Sequence, residues 1–231
     1  TSSNNIPIGQ QGWISQTADR EDVLLIETTD TFLHQCLTDL GVAYDYFFGG
    51  DFAAVDLSGY QHVILGMDGG LVEEPSIVNA AGFANAGGAF HLFGGTCWQP
   101  FAIAVDAHLL QNNTNDYCWS QVGGSPHSTV VDAGHYLAAG LPGTYNFNNL
   151  SASYYSLRPT DAGAAVAAVN GDGFDHLLSI GIGSGSFDAC TNSAYVGYWA
   201  GADYDWGCQV VQNMLNVGPT ANEDSSWSQV K

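Results

Sequence analysis

Apolar residues along this chain alternate between two spacings, and the alternation predicts an α/β domain. Val23-Leu24-Leu25-Ile26, closed by Glu27, is a continuous apolar run that suits a strand buried on both faces. Thr28, Thr29 and Asp30 follow as helix-capping candidates. Phe32, Leu33, Cys36, Leu37 and Leu40 then recur at helical spacing, and Gly41 supplies the stop. The aromatic run Val42 to Phe48 predicts a second strand, and His62 to Met67 a third. Glu73-Glu74-Pro75 opens a helix with proline in its first turn and carboxylates against its positive end, and Ile77, Val78, Ala81 and Phe83 carry its buried side.

The chain is organised around residues 85 to 98. Gly87-Gly88 stops that helix, Ala89 to Phe93 runs as a buried fourth strand, and Gly94-Gly95 turns the chain before Thr96-Cys97-Trp98. In an open α/β sheet such an elbow lies at the carboxyl edge of the strands, where ligands and nucleophiles are placed. Phe101 to Leu110 reads as the helix behind it, and residues 111 to 134 as a long polar insertion. His135 to Gly143 is a short helical turn. Short strands are expected around Tyr145–Phe147, Ser153–Leu157, Ala164–Val169, His176–Ile182 and Ala194–Trp199, with at least one antiparallel pair. Ala202-Asp203 caps a last helix carrying Trp206, Val210, Val211, Met214 and Leu215 on its apolar stripe. The division expected is an arm or linker over 1–20, one α/β domain over 21–218 and a polar tail over 219–231.

Composition sharpens this picture. Three basic residues, Arg20, Arg158 and Lys231, stand against 23 acidic ones, for a formal net charge of -20. With no Lys/Arg cluster to neutralise phosphates, nucleic acid is a poor partner. An acidic surface serves solubility in a secreted or high-salt protein, and it also admits Ca²⁺, the hard cation suited to carboxylate oxygens. No apolar run approaches the roughly 20 residues of a membrane span. The opening Thr1-Ser2-Ser3, without Met and without the pattern of a signal peptide, leads to the expectation of a processed or excised segment. Of the 5 cysteines, Cys36 falls on an apolar helical stripe and reads as a buried thiol. The others lie in loop-rich surroundings and suit two disulfides, Cys97–Cys118 and Cys190–Cys208, although spacing leaves the connectivity open.

The order of elements resembles the flavodoxin-like domain of the class I glutamine amidotransferase-like superfamily, especially its secreted, non-catalytic branches. The residues that carry the likeness are Val23 to Ile26 with Thr29-Asp30, Asp56-Leu57-Ser58-Gly59-Tyr60 before a strand, Gly69-Gly70, Ala86-Gly87-Gly88 and His135 to Pro142. The resemblance implies a three-layer α/β sandwich with a mainly parallel central sheet and extra C-terminal strands, some antiparallel. Catalytic members carry a Cys within Gly-x-Cys-x-Gly on the elbow and a later His-x-Glu. Gly95-Thr96-Cys97 gives the first half of that motif, but Gln99 stands where its last glycine would be, and no His-x-Glu occurs. A nucleophilic thiol needs a base within reach, and His127 and His135 are the imidazoles proposed for it, with His91 and His176 as further candidates.

Asn170-Gly171-Asp172-Gly173-Phe174-Asp175 resembles a propeller-type calcium loop, which makes Asn170, Asp172 and Asp175 candidate ligands. Ala168 and His176 occupy its first and last ligand positions, so a tight turn is the plainer reading. Glu73-Glu74 and Asp203-Tyr204-Asp205 sit at helix starts and read as capping carboxylates. Gly181 to Gly185 is glycine-rich, but no Lys follows, and it does not read as a phosphate loop. Trp98 and Trp119, with Tyr117, Tyr195, Tyr198, Trp199, Tyr204 and Trp206, could stack sugar rings, and Asp68 at the edge loop could bind their hydroxyls. For each ring alone, packing in the core is the simpler role.

The expectation is thus a secreted or cell-surface, non-catalytic interaction or structural domain. Its ligands would be Ca²⁺ or a glycan, and its partners other extracellular domains or copies of itself in a surface assembly. The alternative is a hydrolase or amidotransferase-like enzyme with Cys97 as nucleophile and backbone amides at the elbow as oxyanion hole.

Overall fold

In the computed structural model the described residues are 12–13, 21–28, 32–67, 72–94, 99–110, 120–121, 127–148, 153–154, 163–171, 173–191 and 201–216. Along them run β1 (Gly12–Trp13), β2 (Val23–Glu27), α1 (Leu33–Asp39), β3 (Asp45–Phe48), β4 (His62–Met67), α2 (Glu74–Asn85), β5 (Ala89–Gly94) and α3 (Gln99–Val105). They continue with β6 (Ser120–Gln121), β7 (His127–Val130), β8 (Thr144–Asn146), β9 (Ser153–Tyr154), β10 (Ala164–Asn170), β11 (Asp175–Ile182), β12 (Gly185–Cys190) and α4 (Ala202–Leu215).

The main sheet has the order β1-β3-β2-β4-β5-β12-β11-β10-β7-β8. The inner strands β3, β2, β4, β5 and β12 are parallel, and the strands beyond β12 pair antiparallel, as does β1 at the opposite edge. Fully buried runs at β2, β4 and β5 follow from helices on both faces. One face packs Leu24, Leu65, Phe90 and Phe187 against Ile77, Phe83, Phe101 and Val105 of α2 and α3. The other packs Leu25, Ile64, Phe93 and Leu177 against Leu33, Leu37, Trp206, Val210 and Met214 of α1 and α4. The result is the expected three-layer sandwich, mainly parallel at its centre and antiparallel towards its C-terminal strands.

The strand that completes the parallel core is β12, which the residue pattern hides. Gly183-Ser184 is the two-residue turn of a β11–β12 hairpin, with Ile182 opposite Gly185 and Gly183 at φ 57°. The hairpin presses against the end of α2. A Cβ at Gly185 would come within 2.1 Å of the Gly88 carbonyl oxygen and 2.4 Å of that of Ala84, and one at Gly183 within 2.6 Å of that of Asn85. Glycine is required there by contact, not by turn geometry alone.

Other expectations are corrected by the sheet. The polar insertion contains β7, which enters the main sheet between β10 and β8, because Ser128 and Val130 pair with Asn170 and Ala168. It also holds β6, which pairs with β9 in a separate small sheet. Helix α1 begins after Phe32 as N-cap without a side-chain cap, so Thr28 does not cap it. Helix α4 begins after Gly201, with Asp203 inside its first turn. Cys36 is buried as expected but is no thiol: α1 and α4 lie side by side, and Cys36 is joined to Cys208 with Cα atoms 5.6 Å apart. That bond replaces the expected Cys190–Cys208 pair. Cys190 is buried on β12, in the sheet layer. Cys97 and Cys118 lie outside the described residues, as does the strand expected at Ala194–Trp199.

Two stability effects follow. Gly185→Ala is expected to cost about 1–3 kcal/mol in urea unfolding through overpacking, whereas Gly181→Ala, whose Cβ would meet nothing within 4 Å, should stay within about 0.5 kcal/mol of wild type. Cys208→Ser opens a crosslink spanning 172 residues of sequence and should cost about 2–5 kcal/mol, an effect reproduced by reducing the wild type and absent when the variant is reduced.

Candidate functional site

The parallel strands end together at one rim, where the chain leaves the sheet at Thr28, Met67, Gly94 and Thr191. The antiparallel strands bring His127, Asn146, Asn170 and Asp175 to the same rim. This is the edge at which an open α/β sheet carries its ligands. Gly94 closes β5 at φ 88°, a conformation that favours glycine and turns the chain off the strand. Cys97, Trp98, Asp68 and Trp119 lie outside the described residues, as do Tyr117, Tyr195, Tyr198 and Trp199.

The described part of the rim holds two polar clusters. Asp203 is buried, and its carboxylate accepts the Tyr145 hydroxyl at 2.8 Å and the Asn148 backbone N–H at 3.0 and 3.2 Å. Burial, followed by the hydrogen bond to Asp203, pushes the Tyr145 hydroxyl well above its usual range. Asp203 is therefore the anchor of the chain leaving β8 and not the helix cap expected of it. Beside it the Ser128 hydroxyl meets His176 Nε2 at 2.8 Å, and the His176 ring lies stacked at 6.1 Å on Trp206. Both Ser128 and His176 are buried. Trp206 is buried against Phe147 and offers no free sugar-stacking face, and the Tyr204 hydroxyl donates to Asp39 at 2.6 Å.

The expected catalytic imidazoles are not brought together. His127 opens β7, four strands from β5, roughly 19 Å away at the usual spacing. His135 lies off the rim altogether. The loop after β7 returns at the opposite end of the sheet, and His135 Nε2 meets Ser179 at 3.0 Å while Nδ1 accepts the Leu137 N–H at 3.1 Å. Burial lowers its pKa, against the opposing pull of Asp188 and Asp132. His91 faces Asp188 and His62 within the sheet. Behind the elbow, α3 passes into a π-helical turn at Asp106–Leu110, and burial raises the Asp106 carboxyl.

The calcium candidate resolves as a hairpin turn. Asn170 Oδ1 accepts the Phe174 N–H at 3.0 Å, and the Asn170 N–H donates to the Phe174 carbonyl at 2.8 Å. The side-chain oxygen expected to bind Ca²⁺ thus holds the turn, and Asp172 lies outside the described residues. Among the described residues no cluster of three or more His, Cys, Asp or Glu side chains could hold a metal ion, and no helix is long and apolar enough to cross a membrane.

This architecture defines the chain as an α/β sandwich whose topology loosely resembles flavodoxin-like and amidotransferase-like domains. Known structures share it. The cytoplasmic protein STM1381 from Salmonella typhimurium LT2 superposes with a TM-score of 0.64 at 11% identity, over 85% of this chain and 99% of its own. The cytoplasmic protein STM3548 from Salmonella typhimurium gives 0.58 at 14%, over 86% and 99%. A Thermoplasma acidophilum protein designated as part of a GMP synthase gives 0.53 at 11%, over 87% and 94%. No family model matches the sequence, and no curated protein is detectably similar to it. The two Salmonella proteins correct the expectation of a secreted, extracellular or cell-surface placement: the fold occurs in cytoplasmic proteins and carries no extracellular address.

Asp203 is the described rim residue with the most depending on it. Asp203→Ala is expected to lower stability by about 2–3 kcal/mol, since it leaves the Asn148 N–H and Tyr145 hydroxyl unpaired. Tyr145→Phe, which keeps the Asn148 contacts, should cost about 1 kcal/mol. Urea unfolding of both variants checks the difference.

Proposed function

We propose that this chain is a non-catalytic interaction domain on an amidotransferase-like form of the fold, with its ligand or partner at the carboxyl rim. The observation that supports this reading is the fate of the imidazoles. A thiol on the elbow requires a base within hydrogen-bond reach. His91 and His176 are 0% exposed and engaged elsewhere, His135 packs on the sheet face and His127 stands at a distant strand. The missing His-x-Glu and the Gln99 substitution point the same way.

The sequence beside the rim supports a binding role. Chain segments carrying Trp98, Tyr195, Tyr198 and Trp199 are joined to it at Gly94 and Thr191, and aromatic faces among Asn and Asp side chains suit a glycan. A protein partner or a further copy of the chain would use the same loops. Asn170 is committed to its turn, so Ca²⁺ is the weaker ligand candidate.

The test is thiol-dependent turnover. Incubated with glutamine or an activated ester, the wild type should show no hydrolysis that Cys97→Ala removes. In native protein, Cys97 should react with iodoacetamide no faster than an ordinary thiol. Turnover abolished by Cys97→Ala, or labelling at neutral pH accelerated tenfold or more over free cysteine, would overturn the reading in favour of the enzyme.

A further inference from the structure

Away from the rim, a row of polar side chains crosses the α1/α4 face of the sheet. His91 lies directly opposite Asp188 in the β5–β12 register, and its Nδ1 stands 2.9 Å from Asp188 Oδ2. Its Nε2 meets His62 Nδ1 at 3.0 Å across β4 and β5, with the two rings nearly parallel. His91 and Asp188 are 0% exposed and His62 is 6% exposed.

The groups facing this row are few. Tyr136 donates its hydroxyl to Asp188 from the short helical turn Tyr136–Ala138. His135, stacked on Tyr136, bonds Ser179 of β11, with Asp132 acting on it from the preceding turn. Helix α4 reaches the same turn with a neutral amide, Asn213, donating to the Leu137 and Ala139 carbonyls. Helix α1 presents buried Leu33, Cys36 and Leu37 on this face. All three Lys and Arg residues of the sequence lie outside the described residues, so within the described residues the basic side chain nearest the Asp188 carboxylate is the His91 imidazole.

We propose that His62, His91 and Asp188 form an acid-sensitive latch across β4, β5 and β12, closed while the two rings carry at most one added proton and opened by a second. The reason is the contact between the rings. Of the two facing nitrogens, one must carry hydrogen and the other a lone pair. Two neutral rings or one imidazolium satisfy this, whereas two imidazolium rings set N–H against N–H at 3.0 Å in a site closed to water. The second proton is therefore taken up only as the contact breaks. His62, at the start of β4 and nearest solvent, is the ring that leaves.

The sign follows from linkage. Burial first, and the charge at His91 second, lower the His62 pKa from 6.5 to about 3. The unfolded or opened state binds this proton below about pH 6.5 and the closed state does not, so stability is full above that pH and is lost as pH falls towards 3. At pH 5 the closed form should be disfavoured about thirtyfold relative to pH 8. Relief of carboxylate repulsion acts in the opposite direction, so the latch is read as a difference between proteins.

The experiment is urea unfolding of the full chain from pH 8 to 4.5, wild type beside His62→Gln, which can hydrogen-bond His91 but cannot titrate. The wild-type folding constant, divided by that of the variant, should fall about thirtyfold between pH 8 and 5. A ratio constant within threefold overturns the latch. Should the variant not fold, NMR titration of the wild-type histidines decides. A His62 ring that stays neutral in the folded protein down to pH 4.5 supports the latch, and independent titration of His62 and His91 near 6.5 without loss of structure overturns it.

Discussion

The structure depends on one close approach, between the carbonyls that end α2 and the backbone of the β11–β12 hairpin. Gly185 lies where any side chain would strike the Gly88 and Ala84 oxygens, and Gly183 lies against Asn85. On the other side of the same corner, a Cβ at Gly88 would come within 2.1 Å of the Phe83 ring. This seam fixes where β12 starts relative to β5, and therefore its register. Asp188 falls beside His91 and Cys190 beside Phe93 because Ser186 is set against Ala89. A slip of one residue would turn Asp188 to the α2/α3 face and leave His91 without a carboxylate.

Electrostatics give that register its weight. Arg20, Arg158 and Lys231 all lie outside the described residues, and the contacts of His91 with Asp188 and of His108 with Glu74 have histidine as the basic partner. A carboxylate buried beside a lysine would be indifferent to pH across the neutral range. One buried beside an imidazole is not. The cost of burying Asp188 is offset by His91 and by the Tyr136 hydroxyl, whose own pKa is raised by burial and then by Asp188. A carboxylate in a closed site depends on such partners.

Much of the architecture was legible. β2, α2, β4, β5 and the stripe of α4 announce themselves through apolar runs, a proline at a helix start and glycines at helix and strand ends. β12 did not, because Gly185-Ser186-Phe187-Asp188-Ala189-Cys190 has a glycine, a serine and an aspartate in a strand whose residues are nearly all buried. Hydrophobic alternation cannot find a strand whose polar members are paired inside the protein. The Gly183-Ser184 turn was the available signal, and its reading as a failed phosphate loop concealed the hairpin. The polar partners were lost for the same reason. Asp203 reads as a cap, His62 as the start of a strand and His176 as a candidate base until the sheet order places Tyr145, His91 and Ser128 next to them. The cysteine pairing failed because it turns on which helices share a face, and Cys36 and Cys208 are far apart in sequence but neighbours on α1 and α4.

The two ends of the sheet are not independent, and α4 is the element that spans them. At its start Asp203 holds Asn148 and Tyr145 at the carboxyl rim; three turns later Asn213 holds the carbonyls of Leu137 and Ala139, flanking the turn from which Tyr136 reaches Asp188. The Cys36–Cys208 bond fixes the middle of that helix to α1. Held at both ends and stapled between them, α4 ties the carboxyl rim and the opposite end of the sheet to one element.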